Sequence, residues 1–180
     1  MSLAVTRPAA LRDAEGIAYV HVTAWQETYR NLVPDYILDS LSVERRTNEW
    51  KQNLKDTGSH HSTWVAEYDG KVVGFVNYGR ERDGDQEYQG ELFAIYLLKQ
   101  FQGQGAGQAL VQKVAVGLLG LGLSSMLVWV LSDNPYQKFY AGLGGTHIRE
   151  KSIEIGDVLL MEKAYGWKDI RRLAEMQSLG

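Results

Sequence analysis

The stretch ELFAIYLLKQFQGQGAGQAL, Glu91–Leu110, decides how the rest of the chain is read. An apolar run, Leu92–Leu98, leads into Gly103, Gly105 and Gly107, three glycines at alternate positions among Gln100, Gln102 and Gln104. Leu110, Val111, Val114 and Leu118 then fall on one stripe, which predicts a helix from about Gly107 to Leu119. A strand, a glycine loop and a helix in this order suit an anion. The first N–H groups of a helix lack internal partners, and the dipole places about half a positive charge there. Glycine lets a phosphate approach the backbone and permits positive φ. A tight turn that needs glycine for geometry alone is the other reading of such a loop.

Two common phosphate motifs fail here. A Walker A loop ends in Gly-Lys-Ser/Thr, but the corresponding positions hold Gln108-Ala109-Leu110, with no lysine for phosphate and no hydroxyl for Mg²⁺. A dinucleotide fingerprint accepts Gly103 and Gly105 but needs a third glycine where Gln108 stands. The preceding strand also lies inside a hairpin-rich chain rather than opening a βαβ unit.

Outward from the loop, SMLVWVL (125–131) is a near-continuous apolar strand, which implies burial on both faces. SDNPYQKFYAGLGG (132–145) reads as a cap, a short helix and a glycine stop. THIREKSIEI and DVLLMEKAY flank Gly156-Asp157 as a hairpin, and a polar, helix-prone tail follows over Lys168–Gln177. Upstream, STWVAEYDGKVVGFVNYG is two strands around Asp69-Gly70, a strong hairpin signal because both turn positions need positive φ. RERDGDQ is a polar loop after that hairpin. Ala4–Arg7 opens the chain as a short strand. Arg12–Arg30 is helical, with Ile17, Val20, Ala24 and Thr28 at helical spacing. VPDYILDSL is a second helix opened by Pro34, and Ser42 caps a third that carries Trp50 and Leu54. Strands and helices alternate but hairpins dominate, so the class is α/β with a mixed, α+β-like sheet.

Composition narrows the function. A chain of 180 residues fits one domain with a sizeable core. Lys plus Arg is 19 against 22 Asp plus Glu, which excludes a basic nucleic-acid face and leans toward cationic partners. There is no cysteine, hence no disulfide, thiolate nucleophile or cysteine-ligated zinc. The adjacent His60-His61 lack further ligands and read as surface loop, and His21 and His147 have no visible partners, so no metal is expected. No run approaches the ~18 apolar residues of a membrane span, and no signal core opens the chain. The expectation is a cytoplasmic protein that does not engage a membrane.

A third phosphate pattern does fit. QGQGAG matches Gln/Arg-x-x-Gly-x-Gly/Ala, and together with Asn134 and KFYAGLG in this order the chain resembles the GNAT superfamily of acetyl-CoA-dependent N-acetyltransferases. The resemblance covers about Val5 to Trp167, giving an expected domain over residues 4–167 and a tail over 168–180. It implies a central, mostly antiparallel sheet of six to seven strands flanked by helices. Three positions depart from the pattern: Leu97 stands where valine is common, Lys99 where proline is, and Gly145 where an aromatic is frequent.

The resemblance implies acetyl-CoA as co-substrate and no metal. Gln102, Gly103, Gln104, Gly105, Ala106, Gly107 and Gln108 would cradle the pyrophosphate. Ile95, Tyr96 and Leu97 would bind the pantetheine arm as a substitute strand, with the Leu97 N–H facing the oxyanion. Tyr140 matches the tyrosine placed as general acid near the sulfur. Asn134 would contact pantetheine or order water, though Asn134-Pro135 also suits a plain turn and helix start. Glu91, opening its strand, would be the general base, directly or through water, or else a solvated strand-end charge; Tyr88, Glu87 and Tyr96 are lesser choices for the base. AWQETYRNLVPD (24–35) is the expected wall of the acceptor site. Trp25 and Tyr29 can share a helix face, whereas Glu27 cannot join both, and an aromatic wall with a carboxylate suits a cationic amine. The expected function is acetyl transfer to a small-molecule or peptide amine by direct attack in a ternary complex. A different acyl-CoA, or a CoA-binding sensor without turnover, are the alternatives. A homodimer is the prior for assembly.

Overall fold

Seven apolar-patterned segments form one sheet in the computed structural model, which describes residues 4–56 and 61–176. They are β1 (Val5–Pro8), β2 (His61–Tyr68), β3 (Lys71–Arg80), β4 (Gly90–Leu97), β5 (Met126–Leu131), β6 (Thr146–Ile155) and β7 (Val158–Trp167). Their order across the sheet is β1-β2-β3-β4-β5-β7-β6. All neighbours are antiparallel except β4 and β5. The Asp69-Gly70 turn has φ of 49° and 71°, the conformation its residue types favour.

Two helical layers cover the sheet. On one face, α1 (Ala14–Tyr29) and α3 (Val43–Lys55) bury Ile17, Val20 and Trp50 against Val65 and Phe75. Ser42 caps α3 by accepting the Arg45 N–H at 3.2 Å. The short α2 (Asp35–Asp39) follows Pro34, which sits just before the helix rather than in its first turn. On the other face, α4 (Ala106–Gly120) buries its stripe of Leu110, Val111, Val114 and Leu118 against Val76, Leu92, Met126 and Val128. α5 (Gln137–Gly142) and α6 (Arg171–Ala174) complete the helices among the described residues.

The segment after Trp167 packs on the domain rather than trailing from it. Ile170 and Leu173 join the core beneath α4, and the Gln112 side chain donates to the carbonyls of Ala174 and Met176. Gln177, the expected end of that helix-prone stretch, lies outside the described residues, as does His60. His61 is the first residue of β2.

His21 and His147 do have partners. The His21 ring stacks on Tyr96 at 5.2 Å, and its Nδ1 accepts the Trp50 indole N–H at 3.3 Å. Burial pulls its pKa down to about 3, with Arg46 pushing the same way, so the ring is neutral at neutral pH. His147 faces Glu150 at 3.5 Å. The His21 contacts cross from α1 to β4 and α3, which helical spacing alone does not reveal.

Two irregularities place the site. Asn77 pairs with Ala94 and Tyr78 with Leu92, so Phe93 is an extra residue bulged out of β4. The parallel ladder to β5 runs only from Gly90↔Met126 to Leu92↔Val128. Beyond it the two strands diverge.

The missing aromatic at Gly145 has a structural replacement. A Cβ there would lie 2.6 Å from the Trp167 ring and 2.9 Å from the Tyr140 carbonyl oxygen. Trp167, from the far end of β7, fills that space and donates its indole N–H to the Leu143 carbonyl at 3.0 Å. Gly145→Ala must therefore displace backbone or a buried indole. Chemical denaturation should show a loss of roughly 1–3 kcal/mol, the usual cost of overpacking. Unchanged stability would mean that Trp167 yields freely.

Candidate active site

The divergence of β4 from β5 opens a cavity of about 740 Å³. Leu92–Leu97 form one wall and Val128–Leu131 the other. The glycine loop and α5 close one end, and α1, β6 and β7 bound the other. The cavity is thus built from the strand–loop–helix unit together with five other elements, α1, β5, α5, β6 and β7.

The loop end is preorganised. Gly103 and Gly105 have φ of 71° and 87°, which a side-chain-bearing residue adopts only under strain, and no atom lies within 4 Å of where a Cβ would point from either. The first bond within α4 is from the Ala109 N–H to the Gly105 carbonyl, at 3.0 Å. The N–H groups of Ala106, Gly107 and Gln108 therefore have no helical acceptor. Gly107 lets the Phe139 ring approach to within 3.4 Å of where its Cβ would stand, so α5 packs on the first turn of α4. The glutamines brace the loop. Gln102 donates to the Leu97 carbonyl at 3.0 Å and Gln104 to the Gln100 carbonyl at 2.9 Å. Gln102, Gly103, Gly105, Gly107 and Gln108 line the cavity, whereas Gln104 and Ala106 lie behind it.

The β4 wall presents backbone. The Leu98 N–H donates to the Val73 carbonyl on β3 at 2.9 Å. Strand alternation turns the N–H groups of Ile95 and Leu97 the other way, toward the diverging β5. Ile95, Tyr96 and Leu97 all line the cavity.

The middle of the cavity carries a phenol cluster. Trp25 donates its indole N–H to the Tyr96 hydroxyl at 2.9 Å, and its ring meets Tyr29 edge-on at 4.7 Å. Asn134 donates to the Tyr29 hydroxyl at 3.2 Å while its carbonyl oxygen accepts the Tyr136 N–H at 2.8 Å. One residue thereby forms the turn into α5 and joins the site. Tyr140 lies alongside on α5, 8% exposed. Burial pushes its phenol well above the ordinary value, and Tyr29 adds to the effect. Tyr29 and Tyr96 are raised for the same main reason.

Glu91 is placed differently from the expected base. It is 3% exposed, and both carboxylate oxygens are taken by Arg82, at 2.7 Å to Nη2 and 3.1 Å to Nε. It does not line the cavity, because its position on β4 precedes the divergence and still lies opposite Leu127 in the ladder. Glu87 and Tyr88 also lie outside the wall, and Glu27 is exposed on α1. The carboxylate that does line the cavity is Glu162 of β7, beside Trp129, Ile153 and Ile155. Nothing in the hairpin sequence DVLLMEKAY marks it. The signal was the order of the sheet, which seats β7 between β5 and β6 and pairs Glu162 with Leu131 on one side and Lys151 on the other. Burial raises the Glu162 pKa, Glu91 adds to this, and Lys151 and Arg82 oppose it. Among the described residues no group of three or more metal-ligating side chains is present.

Residues 17–144 match the acetyltransferase (GNAT) family. The chain is 40% identical over 172 residues to the uncharacterized N-acetyltransferase YuaI of Bacillus subtilis, covering 95% of this chain and 96% of the relative. It is 25% identical over 124 residues to a probable N-acetyltransferase of Mycobacterium tuberculosis, covering 68% and 67% of the two chains. Among solved structures, the PaiA N-acetyltransferase of Thermoplasma acidophilum, in complex with coenzyme A, superimposes with a TM-score of 0.72 at 19% identity over 92% of this chain and all of that one. A GCN5-related N-acetyltransferase of Rhodopseudomonas palustris also gives 0.72 at 18% identity, over 92% of this chain and 96% of that one. The glycine-loop cradle, the diverging strands and these likenesses agree, and the chain belongs to the GNAT family of acetyltransferases.

Proposed function

We propose that this chain transfers the acetyl group of acetyl-CoA to a primary amine by direct attack in a ternary complex. The observation that carries the reading is the early end of the β4–β5 ladder, which turns the Leu97 N–H into a cavity that ends on the first turn of α4. Those residues fit the donor. The N–H groups of Ala106, Gly107 and Gln108 suit a pyrophosphate, and the open space before Gly103 and Gly105 admits it. The apolar walls and the free edge of β4 suit an amide-bearing arm laid along the strand. The coenzyme A held by the PaiA structure supports the same reading.

The chain's own groups divide the remaining chemistry. The Leu97 N–H stabilises the oxyanion that forms as the thioester carbonyl is attacked, worth about 3 kcal/mol for one such donor. Tyr140 is protonated at neutral pH, as an ordinary phenol is, and burial raises its pKa further. Outright proton transfer from it to a thiolate, whose acid has a pKa near 8.5, runs uphill. Tyr140 therefore acts as a hydrogen-bond donor to the departing sulfur, and passes its proton on as it accepts one from the newly bonded nitrogen. Asn134 holds Tyr29 in the same network. With no cysteine in the chain, no thiol is available to carry the acetyl group, which supports direct transfer. Glu91 serves this site as the anchor of Arg82 and as a nearby negative charge.

Coenzyme A and acetyl-CoA should each raise the melting temperature, with a ligand at 100 times its Kd contributing about 2.7 kcal/mol. No stabilisation by either would overturn the donor assignment. Tyr140→Phe should lower kcat about 10- to 100-fold in a thiol-release assay, at the low end for acid catalysis because the thiolate leaves readily. Equal turnover would remove Tyr140 from the chemistry. Glu91→Gln should cost roughly 1–3 kcal/mol in urea denaturation through the weakened Arg82 pair and leave most turnover in place. Abolished turnover in a fully stable variant would return the base role to Glu91.

A further inference from the structure

We propose that Glu162 receives the acceptor's ammonium group and takes its proton, and that the acceptor is a primary monoamine on an apolar or aromatic body. The inference rests on the acetyl-transfer reading above. Its first support is the charge of the cavity wall. Among the described residues that line the cavity, Glu162 is the only one with a formal charge at neutral pH. The other lining residues contributed by that side of the cavity include Trp25, Thr28, Phe93, Trp129, Ile153 and Ile155, all apolar or aromatic but for one hydroxyl, and Lys151 lies opposite Glu162 in the β6–β7 ladder.

The nearby cations also pair with other carboxylates. Arg82 is bound by Glu91, and Lys151 lies 3.3 Å from Asp83. Each also lies against a ring of the cavity wall, Arg82 at 4.2 Å from the centre of Phe93 and Lys151 at 4.1 Å from that of Trp129. Glu162 itself accepts no hydrogen bond from another described residue. A half-buried carboxylate without a donor calls for one, and an ammonium brings both the charge and the donors. One carboxylate neutralises one ammonium. A polyamine would leave its further charges against isoleucine and against the Phe93 and Trp129 rings that Arg82 and Lys151 already occupy, so the wall offsets little of their desolvation cost.

The charged and titratable groups around Glu162 are Lys151 on β6, Glu91 on β4, Arg82 after β3 and the Tyr29 phenol on α1. Burial and Glu91 outweigh the two cations, so the carboxylate holds a proton more readily than an exposed one. That strengthens it as a base for an ammonium. In the proposed sequence one N–H proton of the ammonium passes to the Glu162 carboxylate. The freed lone pair forms the N–C bond as the carbonyl π pair moves to oxygen. The pair then returns, the C–S bond breaks, and the sulfur takes a proton from Tyr140 while Tyr140 regains one from the nitrogen. Glu162 releases its proton to solvent, so the products are amide, thiol and one proton.

The test follows thiol release from acetyl-CoA with 2-phenylethylamine and with spermidine, for the wild type and Glu162→Gln. Wild-type kcat/KM should favour 2-phenylethylamine by about tenfold or more. Glu162→Gln should lower kcat/KM for it by about 100-fold at neutral pH, the lower range for a general base. The loss should shrink as pH rises and free amine replaces ammonium, and the acetyl-CoA Kd, measured by titration, should stay unchanged. Equal kcat/KM in the variant, or a preference for spermidine, overturns this inference and leaves acetyl transfer standing. Acetyl-CoA binding without thiol release from either amine overturns the transfer reading and this inference with it.

Discussion

The site depends on a ladder that stops early. Three residues of β4 pair with β5, and then the strands part. A strand edge inside a protein carries N–H and C=O groups that need partners. Here the edge from Ile95 to Leu97 faces a cavity instead of a neighbouring strand, so its polar groups are available to a ligand. The bulge at Phe93 lies just where the ladder ends, and bulges bend and twist the strand that carries them. The same sheet that supplies the core thus also supplies a backbone binding surface, with no separate loop needed to build it.

Charge is arranged around this cavity rather than within it. Arg82 with Glu91 and Lys151 with Asp83 form pairs beyond the walls, and Glu162 alone stands in the lining. A single charge in the lining biases what enters, because opposite charge is favoured and like charge disfavoured over several ångströms. The phenols of Tyr29, Tyr96 and Tyr140 add polar atoms without adding charge, since a phenol is neutral at neutral pH and burial raises the pKa of all three further. The oxyanion and the leaving sulfur would therefore meet neutral donors, and the acceptor's cation would meet the carboxylate.

Much of this was legible in the sequence because it is local. Gly103–Gln108 reads as a phosphate loop from residue types at short spacing, and the helix stripe from Leu110 to Leu118 follows directly. The Asp69-Gly70 and Gly156-Asp157 turns fix two hairpins by the same kind of short-range chemistry. What did not show is what depends on register and strand order. Glu91 looked like a base from its place at the head of a strand, but its side chain reaches Arg82, nine residues earlier across a polar loop. Glu162 carries no signal of its own in the hairpin sequence, and acquires its place only because β7 inserts between β5 and β6. Trp167 likewise replaces the missing aromatic at Gly145 from across the sheet.

This division has a consequence for how such a fold changes its acceptor. The residues proposed to hold the donor, Ile95 to Gln108, are nearly contiguous, and Asn134 and Tyr140 follow within the family-matched span of residues 17–144. Ile153, Ile155 and Glu162 lie beyond that span, on the last hairpin, and reach the cavity only through sheet pairing. A substitution on β6 or β7 can alter the shape or charge of the acceptor end without touching the α4 N-terminus or the β4 edge. Conversely, the loop can hold the donor in the same way whatever the hairpin presents. In the proposed reaction the donor and acceptor sides would meet at Tyr29, whose hydroxyl accepts from Asn134 and whose pKa is raised in part by the charge of Glu162.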